Sequence, residues 1–187
     1  MEKNRKVEKN DGKKDTLYSR YLQLMNKYPL LVNGSQSAII AGSAVVTSCI
    51  LNKSDTKDVY ESIDWFEVFV MMVVNFFYCT PILYWFVRKL STLPYGIPGK
   101  VVVDQFLFSP VFTAGVISCR LFLKGHSPDE IFSAVIVSVP RAMKSSWLFW
   151  IPVRIFSLIF IPTSLTLLTN SLFSFFWNIL LSMILNS

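Results

Sequence analysis

A small set of polar and charged side chains lies within or beside long apolar runs of this sequence. Asp104 and Gln105 come early in an apolar run that ends at Leu123. Glu67 lies at the start of an earlier run, and Arg154 lies inside a later one. Charged groups in a membrane-crossing segment are costly, so they usually line a solute path or bind a charged partner. We therefore treat these four polar residues as candidates for a pore lining or a buried polar network.

The spacing of the charged residues limits which of them can pair. Asp104 and Arg120 are 16 residues apart, and at ~1.5 Å per residue they cannot meet within one straight helix. Arg120 lies near the end of its run, where its side chain can reach the interface. Arg154 lies about eight residues into its predicted span, roughly 12 Å deep, so it needs a partner or water. Glu67 is the candidate partner that lies nearest to Arg154 in predicted membrane depth. Asp104 is predicted closer to the opposite membrane face unless the helices are shifted.

Other kinds of chemistry find no support in the sequence. The one histidine, His126, has no neighbouring side chains at the spacing of metal ligands. Cys49, Cys79 and Cys119 each stand alone in apolar sequence, as small buried hydrophobic residues do. The chain lacks a nucleophile elbow, a phosphate-binding glycine loop, a dinucleotide fingerprint and a zinc-protease motif. We expect no metal, no cofactor and no enzymatic activity.

The composition is that of an integral membrane protein, because 52% of the 187 residues are hydrophobic and only 16% are charged. We predict an all-α fold, an integral membrane bundle that forms a single domain over residues 17–187. Its four main transmembrane helices are predicted at about 30–51, 65–87, 101–123 and 146–168, and a short apolar helix at 172–185.

Two further helices are predicted at the membrane surface. The apolar residues of Leu17–Tyr28 fall on one helical face, which indicates an N-terminal amphipathic helix that ends at Pro29. The sequence Ser-Pro-Asp-Glu at 127–130 has the form of a capping box. It predicts an interfacial helix over 128–143, too short to cross the membrane and bent or ended by Pro140.

One stripe of small residues indicates a helix contact. Gly34, Ala38 and Gly42 recur at every fourth position of the first predicted span. Such a small-residue face lets a neighbouring helix approach closely. We therefore predict that this face packs against another helix.

The distribution of charge indicates an orientation. Residues 1–29 carry eight bases against four acids, and the predicted loop 88–100 carries three bases and no acid, whereas the loop 52–64 is net negative. The first two segments therefore share the positive-inside face. The charged segment 1–16 fits neither a signal peptide nor a cleaved presequence, and we expect a flexible tail there. Anionic lipid headgroups account for the basic excess, so no direct nucleic-acid partner is expected.

Several short motifs resemble those of one family in order and spacing. Tyr21, Met25 and Pro29 follow an opening Y-x-x-x-L-x-x-x-P pattern, Lys100, Asp104, Gln105 and Pro110 follow K-x-x-x-D-Q-x-x-x-x-P, and Ile161, Pro162, Trp177, Asn178, Leu181 and Ser182 follow V-P and W-N-x-x-L-S. Together they resemble the Mpv-seventeen / peroxisomal membrane protein (twenty-two-kilodalton) family of four-span organellar proteins. The resemblance implies structural roles for Pro29, Lys100, Pro110, Pro162, Trp177 and Asn178.

The chain also departs from that family's pattern inside the spans. Ser43-Ala44 stand where relatives carry Gly-Asp, and Arg154 stands where they carry glutamine. One intramembrane acid is therefore lost and one base is gained, so this chain is a divergent member of the family it resembles.

The resemblance implies a non-enzymatic protein of the mitochondrial inner membrane or, alternatively, of the peroxisomal membrane. Its implied function is channel-like small-metabolite permeability and mitochondrial homeostasis. Because few polar residues lie inside the spans, the alternative is a structural or accessory subunit of a respiratory or ATP synthase complex. The expected partners are the lipid bilayer with its anionic headgroups, and either further copies of the chain or a larger mitochondrial membrane complex.

Overall fold

The computed structural model describes residues 17–51, 63–163 and 165–185. At residues 17, 18, 22 and 178–185 it describes only the backbone. Within these ranges the chain forms six helices: α1 Leu17–Lys27, α2 Pro29–Leu51, α3 Trp65–Thr92, α4 Ile97–Leu123, α5 Pro128–Phe160 and α6 Thr166–Leu185. The predicted all-α fold and the N-terminal helix are confirmed. The predicted flexible tail at 1–16 lies outside the described residues.

Three of the described helices, α2, α3 and α4, are long and apolar enough to cross a membrane by length and composition. They coincide with the first three predicted spans. Helices α3 and α4 extend further than predicted, so the irregular connection expected at 88–100 shrinks to residues 93–96. Pro94 and Gly96 lie in that short break, and both residue types favour turns.

Helix α5 differs most from the prediction. The sequence predicted an interfacial helix over 128–143 and a separate span over 146–168, but Pro128–Phe160 is one helix of 33 residues with Pro140 inside it. A proline removes one backbone hydrogen bond, and packing of the adjacent turns can hold the helix together. Met143 and Ser146, in the turns after Pro140, are both buried. The predicted division at Pro140 is therefore wrong.

The two ends of α5 follow from local sequence. At its start, Ser127 Oγ accepts a hydrogen bond from Glu130 N at 3.4 Å, and Glu130 Oε2 accepts one from Ser127 N at 2.8 Å, which confirms the capping box. The bond from the Ser127 backbone lowers the pKa of Glu130. At its end, Ile161 is extended because it precedes Pro162. The predicted boundaries 146–168 and 172–185 are therefore wrong, since α6 already begins at Thr166.

Two wide turns interrupt the regular helices just before prolines. Asn75–Cys79 in α3 and Val103–Phe108 in α4 are π-helical, and Pro81 and Pro110 follow them. The amide of Ser109 bonds to the carbonyl five residues back, as a π turn requires. The extra residue in the α4 turn allows two consecutive polar side chains to be buried together. Those side chains belong to Asp104 and Gln105.

Close contacts between helices hold the bundle together. Helix α3 lies against the small-residue face of α2, where a Cβ on Gly34 would lie 3.0 Å from the Phe76 ring and one on Gly42 3.0 Å from Met72. This confirms the predicted packing role of that face. Helix α6 also packs along α2. Helix α1 contacts α2 through a 3.2 Å hydrogen bond that Gln36 Nε2 of α2 donates to the Tyr21 hydroxyl of α1.

Gly115 in α4 allows the closest approach between α3 and α4, because a Cβ there would overlap the Tyr78 hydroxyl. We predict that Gly115→Ala lowers the free energy of unfolding by about 1–3 kcal/mol, the usual cost of overpacking. Thermal unfolding of the purified protein in detergent, followed by tryptophan fluorescence, measures this change. In a Tyr78→Ala background the same substitution should cost much less. Equal costs in both backgrounds would show that the contact is not the cause.

Candidate functional site

Asp104 and Arg154 form an ion pair in the interior of the bundle. Arg154 Nε donates to Asp104 Oδ2 at 2.7 Å, and the two side chains are only 8% and 1% exposed. The π turn of α4 supplies the carboxylate, and the C-terminal part of α5 supplies the guanidinium. Gln105 Nε2 donates to the same carboxylate oxygen. Three of the four predicted site residues are therefore brought into one cluster.

The predicted nearest partner of Arg154 was Glu67, and that pairing is wrong. The depth of Arg154 was counted from a span that began near residue 146, whereas α5 begins at Pro128. The short connection at residues 124–127 makes α4 and α5 antiparallel neighbours. The late part of α5 therefore lies beside the early part of α4, where Asp104 is located.

Glu67 belongs to a second ionic cluster at the other end of α4. Its Oε1 lies 2.6 Å from Arg120 Nε, and its other carboxylate oxygen pairs with Lys124 Nζ. The Glu67 side chain is 11% exposed and that of Arg120 is 47% exposed, so this cluster lies near the surface of the bundle. It connects the first turn of α3 to the last turn of α4. Glu67 is therefore separate from the Asp104–Arg154 pair.

A central cavity of about 230 Å³ adjoins the buried ion pair. Its polar lining comes from α4, α5 and α6 and includes Asp104, Gln105, Thr113, Ser146, Arg154 and Asn170. Leu83 and a group of aromatic residues complete the wall. The cavity thus has a polar lining inside a bundle of largely apolar helices.

Arg154 also borders a second cavity, which we call the basic cavity. It has a volume of about 120 Å³, and its polar lining is Ser91, Lys100, Arg154, Ser157, Thr163 and Thr166. An outer cavity of about 420 Å³ shares Ser91 and Thr163 with it, and Arg88 contributes to its lining. The three cavities therefore form a row in the sense that each shares lining residues with the next. Arg154 stands between the central cavity and the basic cavity.

Several buried polar atoms around this row have no hydrogen-bond partner among the described residues. They are Asp104 Oδ1, Gln105 Oε1, Ser157 Oγ, Asn170 Oδ1 and Asn33 Oδ1. Leaving a buried polar group unpaired costs about 1–3 kcal/mol. In polar cavities such groups are usually satisfied by water or by a bound molecule.

Sequence reasoning missed some residues of the site. Ser157 follows Arg154 by three positions, which places both on one helical face, and this spacing was the available signal. Asn170 was visible as a polar residue in the last apolar stretch, and it lines the central cavity. The hydrogen bond from Trp147 Nε1 to the Gln105 carbonyl, at 3.2 Å, joins residues 42 positions apart and had no sequence signal.

Four of the six motif residues lie near helix ends or breaks, and Trp177 and Asn178 lie within α6. The carbonyl of Pro29, at the start of α2, accepts a bond from Asn33 Nδ2 at 2.7 Å, and Lys100 Nζ donates to the Ser91 carbonyl at 3.0 Å. Pro110 follows the π turn of α4, and Pro162 lies in the break before α6. The Trp177 ring lies 5.2 Å from that of Phe149, while the side chain of Asn178 lies outside the described residues. Their expected structural roles remain predictions.

The described residues contain no group of three or more His, Cys, Asp or Glu side chains that could hold a metal ion. His126 lies 3.4 Å from Glu130 Oε2, beside the capping box. The three cysteines are free thiols. Among the described residues the site therefore consists of one buried ion pair and the cavities that border it.

The ion pair can be tested with a double-mutant cycle. Arg154→Gln leaves a buried carboxylate without its cation and should cost about 3–5 kcal/mol of stability. Adding Asp104→Asn should recover most of that loss, because it removes the uncompensated charge. Thermal unfolding of the four proteins in one detergent gives the coupling free energy. Additive losses, with no recovery in the double variant, would contradict a direct pair.

Comparisons with known proteins agree with the helical membrane character of the chain. Residues 121–182 match the Mpv17 / PMP22 family. The chain is 27% identical to PXMP2/4 family protein 2 of Dictyostelium discoideum over 89% of each chain. It is 33% identical to protein SYM1 of Mycosarcoma maydis over 52% of each chain. It is 30% identical to mitochondrial inner membrane protein Mpv17 of Drosophila melanogaster over 47% of this chain and 52% of that one.

No solved structure matches the chain. The family match covers the end of α4, all of α5 and most of α6, and the similarity to the Dictyostelium protein extends over most of the chain. These matches confirm the resemblance drawn from the short motifs. The chain is thus similar to the Mpv17 / PMP22 family, to its family model over residues 121–182 and to the Dictyostelium protein over most of its length.

Proposed function

We propose that this protein provides a path for small solutes across an organellar membrane, with the Asp104–Arg154 pair as its closure. The observation that carries the proposal is the position of Arg154, which borders both the central cavity and the basic cavity. A solute that moves from one cavity to the other has to pass this side chain. Separating Arg154 from Asp104 therefore opens the path.

The cost of the polar groups supports this proposal. A buried ion pair is commonly no more stabilising than well-packed apolar residues of the same volume, so packing alone does not require it. Unpaired Asp104 Oδ1 and Gln105 Oε1 add further cost. Intramembrane groups of this kind usually serve a solute or ion pathway.

The cavity sizes favour small solutes. Pockets for drug-sized ligands measure roughly 300–1,000 Å³. The central cavity, at about 230 Å³, is below that range, and the basic cavity, at about 120 Å³, is smaller still. The proposed solutes are therefore small metabolites or inorganic ions.

The proposed membrane is the inner mitochondrial membrane, with the peroxisomal membrane as the alternative. One relative is named a mitochondrial inner membrane protein, which supports the first assignment. We propose that α5 makes a fourth crossing beside α2, α3 and α4, since its 33 residues exceed the length a bilayer requires. Assembly with further copies of the chain or with a larger complex is part of the proposal.

The competing proposal is an accessory subunit of a larger mitochondrial complex. The contact between Asp104 and Arg154 favours this alternative, because it keeps the proposed path closed in this structure. Large apolar side chains on the outer surface, such as Phe77 at 72% and Leu148 at 86% exposure, could contact a protein partner as well as lipid. Flux measurements separate the two proposals.

Reconstituted liposomes test the path directly. We predict that Asp104→Asn raises the efflux of small entrapped solutes severalfold, because a neutral amide holds Arg154 less strongly than a carboxylate does. Lys89→Gln is the matched control: it removes an exposed charge at the end of α3 and should leave the flux unchanged. Liposomes that remain sealed with both the unmodified protein and Asp104→Asn would refute the path. Stable co-purification with a respiratory or synthase complex would then support the accessory subunit.

A further inference from the structure

We propose that the basic cavity binds a small oxyanion, such as phosphate or the carboxylate of a small metabolite, between Lys100, Arg154 and Ser157. The proposal names a chemical class for the solute of the path, and in that respect it rests on the proposed function. The binding itself depends only on the residues of the cavity. It can therefore be measured apart from any flux.

The charges around the basic cavity favour an anion. Lys100 and Arg154 both line it, and none of the described residues in its lining is acidic. The one nearby carboxylate, Asp104, contacts Arg154 from the side of the central cavity. Two cations thus face a single counter-ion, and one positive charge remains without a carboxylate partner in the described lining. Arg88 adds another positive charge in the adjoining outer cavity, whose described lining also lacks acids.

The hydrogen-bond donors exceed the protein acceptors that the structure provides. A guanidinium carries five N–H groups, and among the described residues only Nε of Arg154 has a recorded partner, Asp104. Ser157 Oγ is buried and has no partner in the same part of the chain. Lys100 uses one of its donors on the Ser91 carbonyl, at 3.0 Å. An oxyanion supplies several acceptors at once, which is the complement of this donor set.

The walls of the basic cavity restrict the size of the anion. Val87, Leu90, Leu158 and Ile161 enclose the polar groups, and the volume is about 120 Å³. This space suits a single phosphate or carboxylate group and is too small for a nucleotide.

Asp104 competes with the proposed anion for Arg154. A guanidinium that is already neutralised by a carboxylate attracts a second anion less strongly. Replacing Asp104 with asparagine should therefore strengthen anion binding, although it removes a polar contact from the protein. If the ion pair had only a structural role, Asp104→Asn would not bind the anion more tightly. This variant therefore distinguishes the two roles.

The test measures phosphate binding to the full-length protein in detergent. Thermal unfolding is followed while sodium phosphate replaces sodium chloride at constant ionic strength. We expect phosphate to stabilise the unmodified protein, and we expect its dissociation constant to fall about tenfold in Asp104→Asn and to rise about tenfold in Lys100→Gln. Lys89→Gln should bind phosphate as the unmodified protein does.

Arg154 itself is tested in the double variant Asp104→Asn/Arg154→Gln, because Arg154→Gln alone leaves a buried unpaired charge. The double variant should lose the specific phosphate effect. Phosphate also stabilises proteins generally, by exclusion from their surfaces, so the comparison between variants is the decisive one. Equal stabilisation of the unmodified protein and the double variant would overturn the proposal.

The anion has two sources, a free solute or a lipid headgroup. Nanodiscs of phosphatidylcholine alone, and of phosphatidylcholine with phosphatidic acid, separate them. If the headgroup occupies the cavity, phosphatidic acid should stabilise the unmodified protein over the double variant and abolish the phosphate effect. If a free anion occupies it, the phosphate effect should persist in both. Phosphate binding in a protein whose liposomes stay sealed would support this site while refuting the solute path.

Discussion

The ion pair between Asp104 and Arg154 is the constraint around which the helices are arranged. Each side chain is nearly excluded from solvent, so each charge is costly in the bundle without the other. Their contact determines the relative position of α4 and α5 along the hairpin. Trp147 strengthens the same alignment by its hydrogen bond to the carbonyl of Gln105. Arg154 lines both the basic cavity and the central cavity, so the positions of these cavities in the bundle depend on the same alignment.

Some prolines of this chain change helix geometry from within a helix, and others lie at helix ends. Pro81 and Pro110 each follow a π turn, and the wide turn before Pro110 brings Asp104 and Gln105 together on the buried side. Pro140 lies within α5, which continues past it because its next turns are packed. Pro94 and Pro162 lie just beyond the ends of α3 and α5, where each holds the residue before it in an extended conformation. The effect of each proline depends on its packed neighbours.

The two ionic clusters lie toward opposite ends of α4 and differ in their surroundings. At one end Glu67 pairs with Arg120 and Lys124, partly in contact with solvent, and joins α3 to α4. At the other end Asp104 holds a single buried cation and keeps one oxygen unpaired. In the first cluster both oxygens of the carboxylate contact cations near water, as in a structural contact. The second leaves unused hydrogen-bonding capacity beside a cavity, which is the usual property of a binding site.

The sequence by itself determined the helical membrane class, the three long apolar helices, the capping box and the family resemblance, because hydropathy and short motifs act locally. It also identified Asp104, Gln105 and Arg154 as polar groups that need partners. Only the tertiary structure decided that Arg154 meets Asp104 and that Glu67 meets Arg120. These pairings depend on how far neighbouring helices are shifted along their axes. That shift depends on whether α5 continues through Pro140. Whether a proline is tolerated is decided by the packing around it, which no local pattern of residues contains.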